Sequence, residues 1–353
     1  MRHFYLDFIF TAIALAIAAW WGYSHGGMGG LIATLSITAI LAVMEISLSF
    51  DNAVVNASVL KGWDEFWKKI FLTVGILIAV FGMRLVFPIV IVAVTADLGV
   101  MQVVDLALND PKEYSARLLA HHAEISAFGG IFLLLVFLNF IFDEKEVHWF
   151  NWLESRLAKL GKVDAMSVFV ALIVLMIAVS FADPEQSTAV LIAGVWGILV
   201  YLGVQVVSGM LEGDLEEDLE NAEAGSGAAA TSAIMKGGII GFLYLEVLDA
   251  SFSFDGVIGA FAITNDVIVI MLGLAIGAMF VRSMTIFLVD KGTLDEFVYL
   301  EHGAHYAIGA LAIIMLLSVK FHVPELITGL IGIAFIGWAL VASLNYRKRQ
   351  ALE

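Results

Sequence analysis

Long apolar segments recur along almost the whole chain, and they constrain the fold more than any other feature of the sequence. A segment of about 20 apolar residues crosses a bilayer as a helix, and in lipid the backbone polar groups are satisfied only in helices or closed barrels. The chain is 61% hydrophobic and 15% charged, whereas soluble domains are nearer ~25% charged. The sequence therefore predicts an all-α polytopic membrane protein.

The apolar segments divide into about ten predicted spans. They are 4–22, 31–60, 70–96, 126–142, 167–182, 187–210, 233–264, 267–290, 305–320 and 326–346. Between them we expect a polar loop at 97–122, a charged connection at 143–165 and an acidic cytoplasmic loop at 211–232. Because no long Ser- or Pro-rich linker divides the chain, residues 1–353 are predicted to form a single membrane domain.

Lysine and arginine are concentrated in one of the two sets of loops, which predicts the orientation. With the N-terminus in the cytoplasm, only Lys112, Arg117 and Lys320 lie outside. The basic residues inside are then Lys61, Lys68, Lys69, Lys145, Arg156, Lys159, Lys162, Lys236, Lys291, Arg347, Lys348 and Arg349. We expect a protein of the cell (plasma or inner) membrane, surrounded by lipid, with both termini cytoplasmic.

Several kinds of chemistry are disfavoured by composition. There is no cysteine, which excludes disulfides and thiolate metal ligands and leaves oxygen and imidazole. The formal charge of −16 argues against nucleic acid as a partner. No Gly-Lys-Ser/Thr phosphate loop is present, so ATP-driven pumping is disfavoured.

Two segments inside the spans share the pattern acid, apolar, Ser, apolar, Ser, Phe, Asp. The first runs from Glu45 to Asn52, and the second runs from Asp249 to Gly256. A carboxylate inside a membrane costs roughly 2.5–3.5 kcal/mol on insertion scales, so such acids usually face a partner, a cavity or an ion. The duplication predicts a site built from two halves.

Further matches surround the two motifs. Gly75 precedes Arg84 by nine positions, and Gly273 precedes Arg282 by the same interval. Spans two to four and seven to nine are therefore predicted to form an inverted-topology repeat, an arrangement that places a transporter site at the midplane. The predicted repeats comprise residues 31–142 and 233–320.

Histidine and glutamate cluster where spans four and nine begin, on opposite faces of the membrane. The residues are His121, His122 and Glu124 in the first cluster, and Glu301, His302 and His305 in the second. They are candidate gate ligands, where an ion enters and leaves, or polar residues of the membrane interface. The sequence leaves both interpretations open.

The first motif, of the form Glu-x-x-Leu-Ser-x-Asp-Asn, resembles that of the TerC family of integral membrane proteins. The resemblance covers about residues 31–319. That family is named for tellurium resistance, and several members are implicated in manganese export, so the resemblance implies divalent cation transport. The second motif departs from the family form, with Asp249 in place of the glutamate and with Asp255 followed by Gly256.

The candidate metal ligands all carry side-chain oxygens: Glu45, Asp51, Asn52, Asp249, Asp255 and Glu246. Arg84 and Arg282 are predicted to compensate the charge of the acids. Ser47 and Ser251 are more often structural at such positions. Convergence of Glu45 and Asp51 on one ion requires a helix break near Ser49–Phe50, because residues six apart face different sides of a helix.

The predicted function is a secondary transporter that exports a divalent cation, with manganese favoured and calcium second, and with no tightly bound cofactor. An intramembrane aspartyl hydrolase is disfavoured, because an acid dyad needs neither Ser-rich flanks nor arginine companions; we expect no enzyme. The alternative is a non-transporting membrane scaffold of a metal or tellurite stress-response complex. A homo-oligomer is left open.

Overall fold

The structure is a computed structural model that describes residues 4–95, 98–145, 147–161, 165–216, 238–290, 297–321, 323 and 325–350. Every regular element in these ranges is a helix. The helices are α1 (Tyr5–Leu48), α2 (Phe50–Leu60), α3 (Glu65–Ile70), α4 (Phe87–Thr95), α5 (Val100–Asn109), α6 (Pro111–Ala120), α7 (His122–Phe142), α8 (Asn151–Gly161), α9 (Met166–Phe181), α10 (Ser187–Glu216), α11 (Ile239–Ile263), α12 (Val267–Asp290), α13 (Leu300–Ser318) and α14 (Glu325–Gln350). Between α3 and α4 the chain winds as two π-helical segments, Phe71–Gly75 and Ile78–Val86.

The described helices confirm an all-α polytopic membrane protein. Seven helical stretches of the described residues are long and apolar enough to cross a membrane; one of them, Glu65–Ala93, runs from α3 through the π-helical segments into α4. The number is eight if the bent pair α8 and α9 forms one span. Helix α11 has 25 residues, the length of a span, but it carries three acids and is not among those seven. The predicted count of ten stays a prediction.

Helix α1 reverses direction part-way along its 44 residues. Gly26 departs from helical geometry, and Gly27 has a φ of 59°, which favours glycine. The Thr34 hydroxyl donates a hydrogen bond of 3.0 Å to the carbonyl of Ala18, sixteen residues earlier. A straight helix would separate these residues by about 24 Å, so the two parts of α1 pack side by side.

Two connections contain more helix than the sequence predicted. The segment 97–122, interpreted as a polar loop, holds α5 and α6. Asp110 caps α6 by accepting a hydrogen bond from the Glu113 amide, and Tyr114 and Leu118 are buried in an apolar cluster with Phe261. The connection 143–165 contains α8. Of the acidic loop 211–232, residues 211–216 belong to α10, and the rest lies outside the described residues.

Small residues allow helices of one predicted repeat to pack closely on helices of the other. The second part of α1 packs on α12, where a Cβ on Gly273 would lie 2.6 Å from the Cβ of Leu41. The π-helical segment Ile78–Val86 packs on α11. Each acidic helix therefore lies against the arginine-bearing helix of the other predicted repeat, in line with small-residue packing in membranes.

Candidate functional site

The first half of the site is a buried ion pair between Glu45 and Arg84. The Arg84 Nη2 donates to Glu45 Oε1, and both side chains are almost fully buried. Arg84 also donates from Nη1 to the carbonyl of Ala79 at 2.6 Å, and the Ser49 hydroxyl donates to Glu45 Oε1 at 3.3 Å. Arg84 lies on a π-helical segment, a distortion that is frequent at functional sites.

The second half joins one arginine to two acids. Arg282 is 2% exposed, and its Nη2 lies 3.3 Å from Glu246 Oε1 and 3.5 Å from Asp249 Oδ2. Its Nη1 donates to the carbonyl of Phe71 at 3.3 Å, and the guanidinium carbon lies 3.9 Å from the centre of the Phe71 ring. Glu246 has no equivalent acid in the first motif, where Ala42 stands, yet the structure places it on the same arginine as Asp249.

A small cavity lies between the two halves. Its volume is about 10 Å³, close to the smallest that holds a water molecule. The lining residues come from four helical segments: Ser49, Asn52, Ala79, Arg84, Asp249, Ala278, Val281 and Arg282. The structure therefore brings both predicted arginines and a member of each acidic motif to one place.

The two halves differ in backbone. The first motif is interrupted at Ser49, which has φ −100° and ψ 18° and separates α1 from α2. The break is smaller than an unwound segment, because the Ser49 amide still donates to the Glu45 carbonyl at 3.0 Å. The second motif lies within the uninterrupted helix α11. For Asp51 and Asp255 the helical backbone is described, and their side chains lie outside the described part of the structure.

The second motif has Gly256 where the first has Asn52, and this difference has a steric reason. A Cβ on Gly256 would lie 2.7 Å from Glu45 Oε2, too close for an unstrained contact. On the facing helix, a Cβ on Gly277 would lie 2.4 Å from both the Cβ and the Cγ of Glu45. The absence of side chains at these two positions makes room for the buried carboxylate.

We expect Gly277→Ala to lower the free energy of unfolding by about 1–3 kcal/mol, the usual effect of overpacking. The added methyl group must push α12 away from α1 at Glu45. The measurement is the thermal unfolding midpoint in detergent, with Gly337→Ala as the control. A Cβ on Gly337 meets nothing within 4 Å, so the control should be neutral or stabilising. Equal midpoints for both variants would contradict the packing described here.

The serines of the motifs behave as structural residues. The Ser47 hydroxyl donates to the carbonyl of Val43 at 2.7 Å, and Ser251 donates to that of Val247 at 2.9 Å. Both hydrogen bonds lie within the residue's own helix, as expected for serine in a membrane span.

The candidate gate residues contact local partners. His121 Nδ1 lies 2.5 Å from Glu124 Oε2, and His122 Nε2 lies 3.3 Å from Ser126 Oγ. These contacts join neighbouring turns at the start of α7. They leave the gate interpretation of the first cluster a prediction.

The histidines of the second cluster both pack on Phe140. His302 Nε2 lies 3.0 Å from the carbonyl of Val147 and 3.6 Å from Glu154 Oε2. His305 is stacked on Phe140 with ring centres 3.8 Å apart, and its Nδ1 lies 2.9 Å from the carbonyl of Glu301. The His302 ring also contacts Phe140, edge to face with ring centres 5.3 Å apart, so the two histidines share Phe140 while their nitrogens contact different groups. Among the residues that the structure describes, no three His, Asp or Glu side chains are grouped closely enough to hold a metal ion.

Glu154 organises this end of the molecule, and the sequence did not point to it. It is 1% exposed and accepts hydrogen bonds from the amides of Trp149 and Phe150 and from the Tyr306 hydroxyl. Nearby, the Lys145 Nζ lies 3.8 Å from the centre of the Phe140 ring. Burial lowers the pKa of Lys145, and the negative charge of Glu154 opposes that shift.

Other polar residues of the interior were also missed. Asp7 is fully buried and accepts a hydrogen bond of 2.9 Å from the Ser283 hydroxyl, next to Arg282. Asn56 is fully buried one helical turn after Asn52. Asn56 could have been found from the sequence, because it follows Asn52 by one helical turn. Asp7 could not, because its partner Ser283 is 276 positions away.

Comparison with known proteins identifies the family. The family model described as "Protein of unknown function (DUF475)" matches residues 50–350. The chain belongs to the DUF475 family. The matched region of this DUF475 protein contains Arg84, Glu246, Asp249 and Arg282, and it begins after Glu45.

A curated relative supports the membrane assignment. The DUF475 protein is 27% identical over 156 residues to the "Uncharacterized membrane protein YceF" of Bacillus subtilis (strain 168). The aligned region covers 44% of this chain and 58% of the relative, so the chain spans little more than half of that protein. No solved structure matches the chain.

Proposed function

We propose that this protein is a secondary transporter that exports a divalent cation, with manganese the favoured substrate, through the site between α1–α2, the π-helical segment and α11–α12. One observation carries the proposal: Arg84 and Arg282, each paired with a buried acid, border one cavity together with Asp249 and with Ser49 and Asn52 of the first motif. Intramembrane charges that pair with one another commonly mark ion pathways. The resemblance of the first motif to the TerC family points in the same direction.

The charge balance suits a cation. The described acids Glu45, Glu246 and Asp249 face Arg84 and Arg282, which leaves one negative charge in excess. Asp51 and Asp255 add two more carboxyl groups to the same motifs. In a low-dielectric interior an excess of this kind favours binding of a proton or a metal cation.

The ligand types suit a hard or borderline ion. Carboxylate and amide oxygens bind magnesium, calcium and manganese, and the chain has no cysteine thiolate that would select softer metals. Glu45, Asp249, Glu246, Asn52, Asp51 and Asp255 are the proposed ligands.

Arginine and substrate compete in the proposed mechanism. The guanidinium groups hold the carboxylates that a cation needs, Arg84 on Glu45 and Arg282 on Asp249. A cation that reaches the cavity displaces these contacts or the protons on unpaired acids. Where the cation displaces protons, its flux is coupled to proton movement in the opposite direction.

The proposed setting is the cell membrane with both termini cytoplasmic. The ten predicted spans put the loops with Lys61 and Lys145 on the same side as the C-terminal basic residues, and the positive-inside rule supports the cytoplasm as that side.

The test is manganese flux into proteoliposomes, read with a fluorescent probe, for the wild type, Asp51→Asn and Asp255→Asn. We expect the wild type to move manganese and each variant to lose about tenfold or more of the rate. Asp105→Asn is the matched control, because Asp105 is exposed on α5 and its carboxylate accepts a hydrogen bond from the neighbouring Asn109 amide. Wild-type vesicles that move no divalent cation would overturn the proposal and favour the scaffold alternative.

A further inference from the structure

A row of buried polar side chains follows one face of α1 and α2 and passes the cavity. Its members are Thr38, Glu45, Ser49, Asn52 and Asn56, spaced seven, four, three and four residues apart. This spacing keeps side chains on one side of a helix, and the backbone hydrogen bonds across Ser49 preserve the register. Every member is at most 7% exposed.

Asn56 is the member that lies beyond the cavity. It is 0% exposed, and neither the oxygen nor the nitrogen of its amide has a hydrogen-bond partner among the described residues. Buried amides are nearly always hydrogen-bonded, because an unpaired polar group in the interior is unfavourable. The side chain therefore has unused capacity to bind a polar ligand.

Packing does not require asparagine at this position. In the second motif the equivalent residue, one turn after Gly256, is Ala260, which is also fully buried. Helix α2 packs against α12, which carries Arg282, and against α13. The first motif is thus followed by a buried polar residue where the second is followed by alanine. Asn56 lies on α2, which ends beside Lys61.

We propose that Asn56 is a second ligand for the transported divalent cation, reached from the loop that begins at Lys61 before Asn52 and the cavity. The inference rests on the proposed function. Four residues of helix rise by about 6 Å, a short step for an ion that enters the cavity from the cytoplasmic side. A neutral amide oxygen suits calcium, magnesium or manganese, and it holds the ion less tightly than the acids, so the ion can pass on to the cavity.

The experiment compares Asn56→Leu with wild type in two measurements, the thermal unfolding midpoint and manganese flux in proteoliposomes. Leucine has a similar size and removes an unpaired polar group, so we expect an equal or higher midpoint. We expect the flux to fall about tenfold or more. A residue with only a structural role would not give a stable protein with lost flux.

Asn139→Leu is the matched control. Asn139 donates to the Tyr201 hydroxyl and accepts a hydrogen bond of 2.5 Å from Ser167, on helices away from the cavity. Its replacement should lower the midpoint, because these partners lose their hydrogen bonds. The flux per folded molecule should stay that of the wild type.

A second variant keeps the inference testable if Asn56→Leu does not fold. Asn56→Asp retains the oxygen and adds a charge, so the KM for manganese should fall and the maximal rate should fall with it. Wild-type flux in either variant with an unchanged KM would overturn the inference and leave the proposed function standing. Absence of flux in the wild type would instead overturn the proposed function, and the inference with it.

Discussion

Replacement of Arg282 by methionine is expected to lower the free energy of unfolding by about 3–5 kcal/mol, the usual effect of removing one partner from a buried ion pair. Arg282 is 2% exposed and contacts both Glu246 and Asp249, so its loss leaves two buried carboxyl groups without a cation. The measurements are the thermal unfolding midpoint in detergent and the size-exclusion profile. We expect a lower midpoint and a smaller monodisperse peak.

The acids themselves provide the decisive comparison. The triple variant Arg282→Met, Glu246→Gln and Asp249→Asn should recover much of the stability, because no buried charge is then unpaired, but it should not transport. Arg117→Met is the control: Arg117 pairs with Glu113 at 2.8 Å on the exposed side of α6, where an ion pair contributes about 0–1 kcal/mol. Equal stability of Arg282→Met and wild type would contradict the described pairing.

Glu154→Ala is expected to lower the free energy of unfolding by about 2–3 kcal/mol. The change removes the acceptor of three hydrogen bonds, from the amides of Trp149 and Phe150 at 3.1 and 3.3 Å and from the Tyr306 hydroxyl at 3.0 Å. Helix α8 then loses its link to α13, so cleavage by trypsin at Arg156 and Lys159 should become faster.

The control for this prediction is Glu65→Ala. Glu65 pairs with Lys68 at 3.3 Å, and its side chain is 81% exposed, so little stability should be lost. Manganese flux per folded molecule should be unchanged in Glu154→Ala, because Glu154 does not line the cavity. A Glu154→Ala protein with wild-type stability and wild-type proteolysis would show that the hydrogen bonds of Glu154 do not hold α8.

Local patterns were enough to predict the all-α membrane fold, and they singled out Arg84 and Arg282, whose part in a transport site stays a prediction. The duplicated motif placed Arg84 and Arg282 beside acids because charges in lipid need partners, and the structure pairs each with an acid of its own predicted repeat. Helix α6 was missed although Asp110–Pro111 is a readable helix start. The polar composition of 97–122 obscured the buried positions Tyr114 and Leu118.

What could not be predicted depends on contacts between distant parts of the chain. The role of Gly256 follows from its approach to Glu45, and that of Glu154 from Tyr306, 152 residues away. Glu246 seemed isolated because the first motif has alanine there, yet one arginine reaches both it and Asp249. These contacts depend on how the helices pack against one another, which the spacing of residues along one segment does not predict.

The pairing within each predicted repeat has a consequence for biosynthesis. Arg84 is made 39 residues after Glu45, and Arg282 is made 36 and 33 residues after its two acids. The glycines that enclose Glu45, Gly256 and Gly277, are made more than 200 residues later. Each acid therefore meets its arginine on the next predicted span to leave the ribosome. We expect the two helices to enter the bilayer as a charge-matched hairpin, long before the rest of the molecule closes around them.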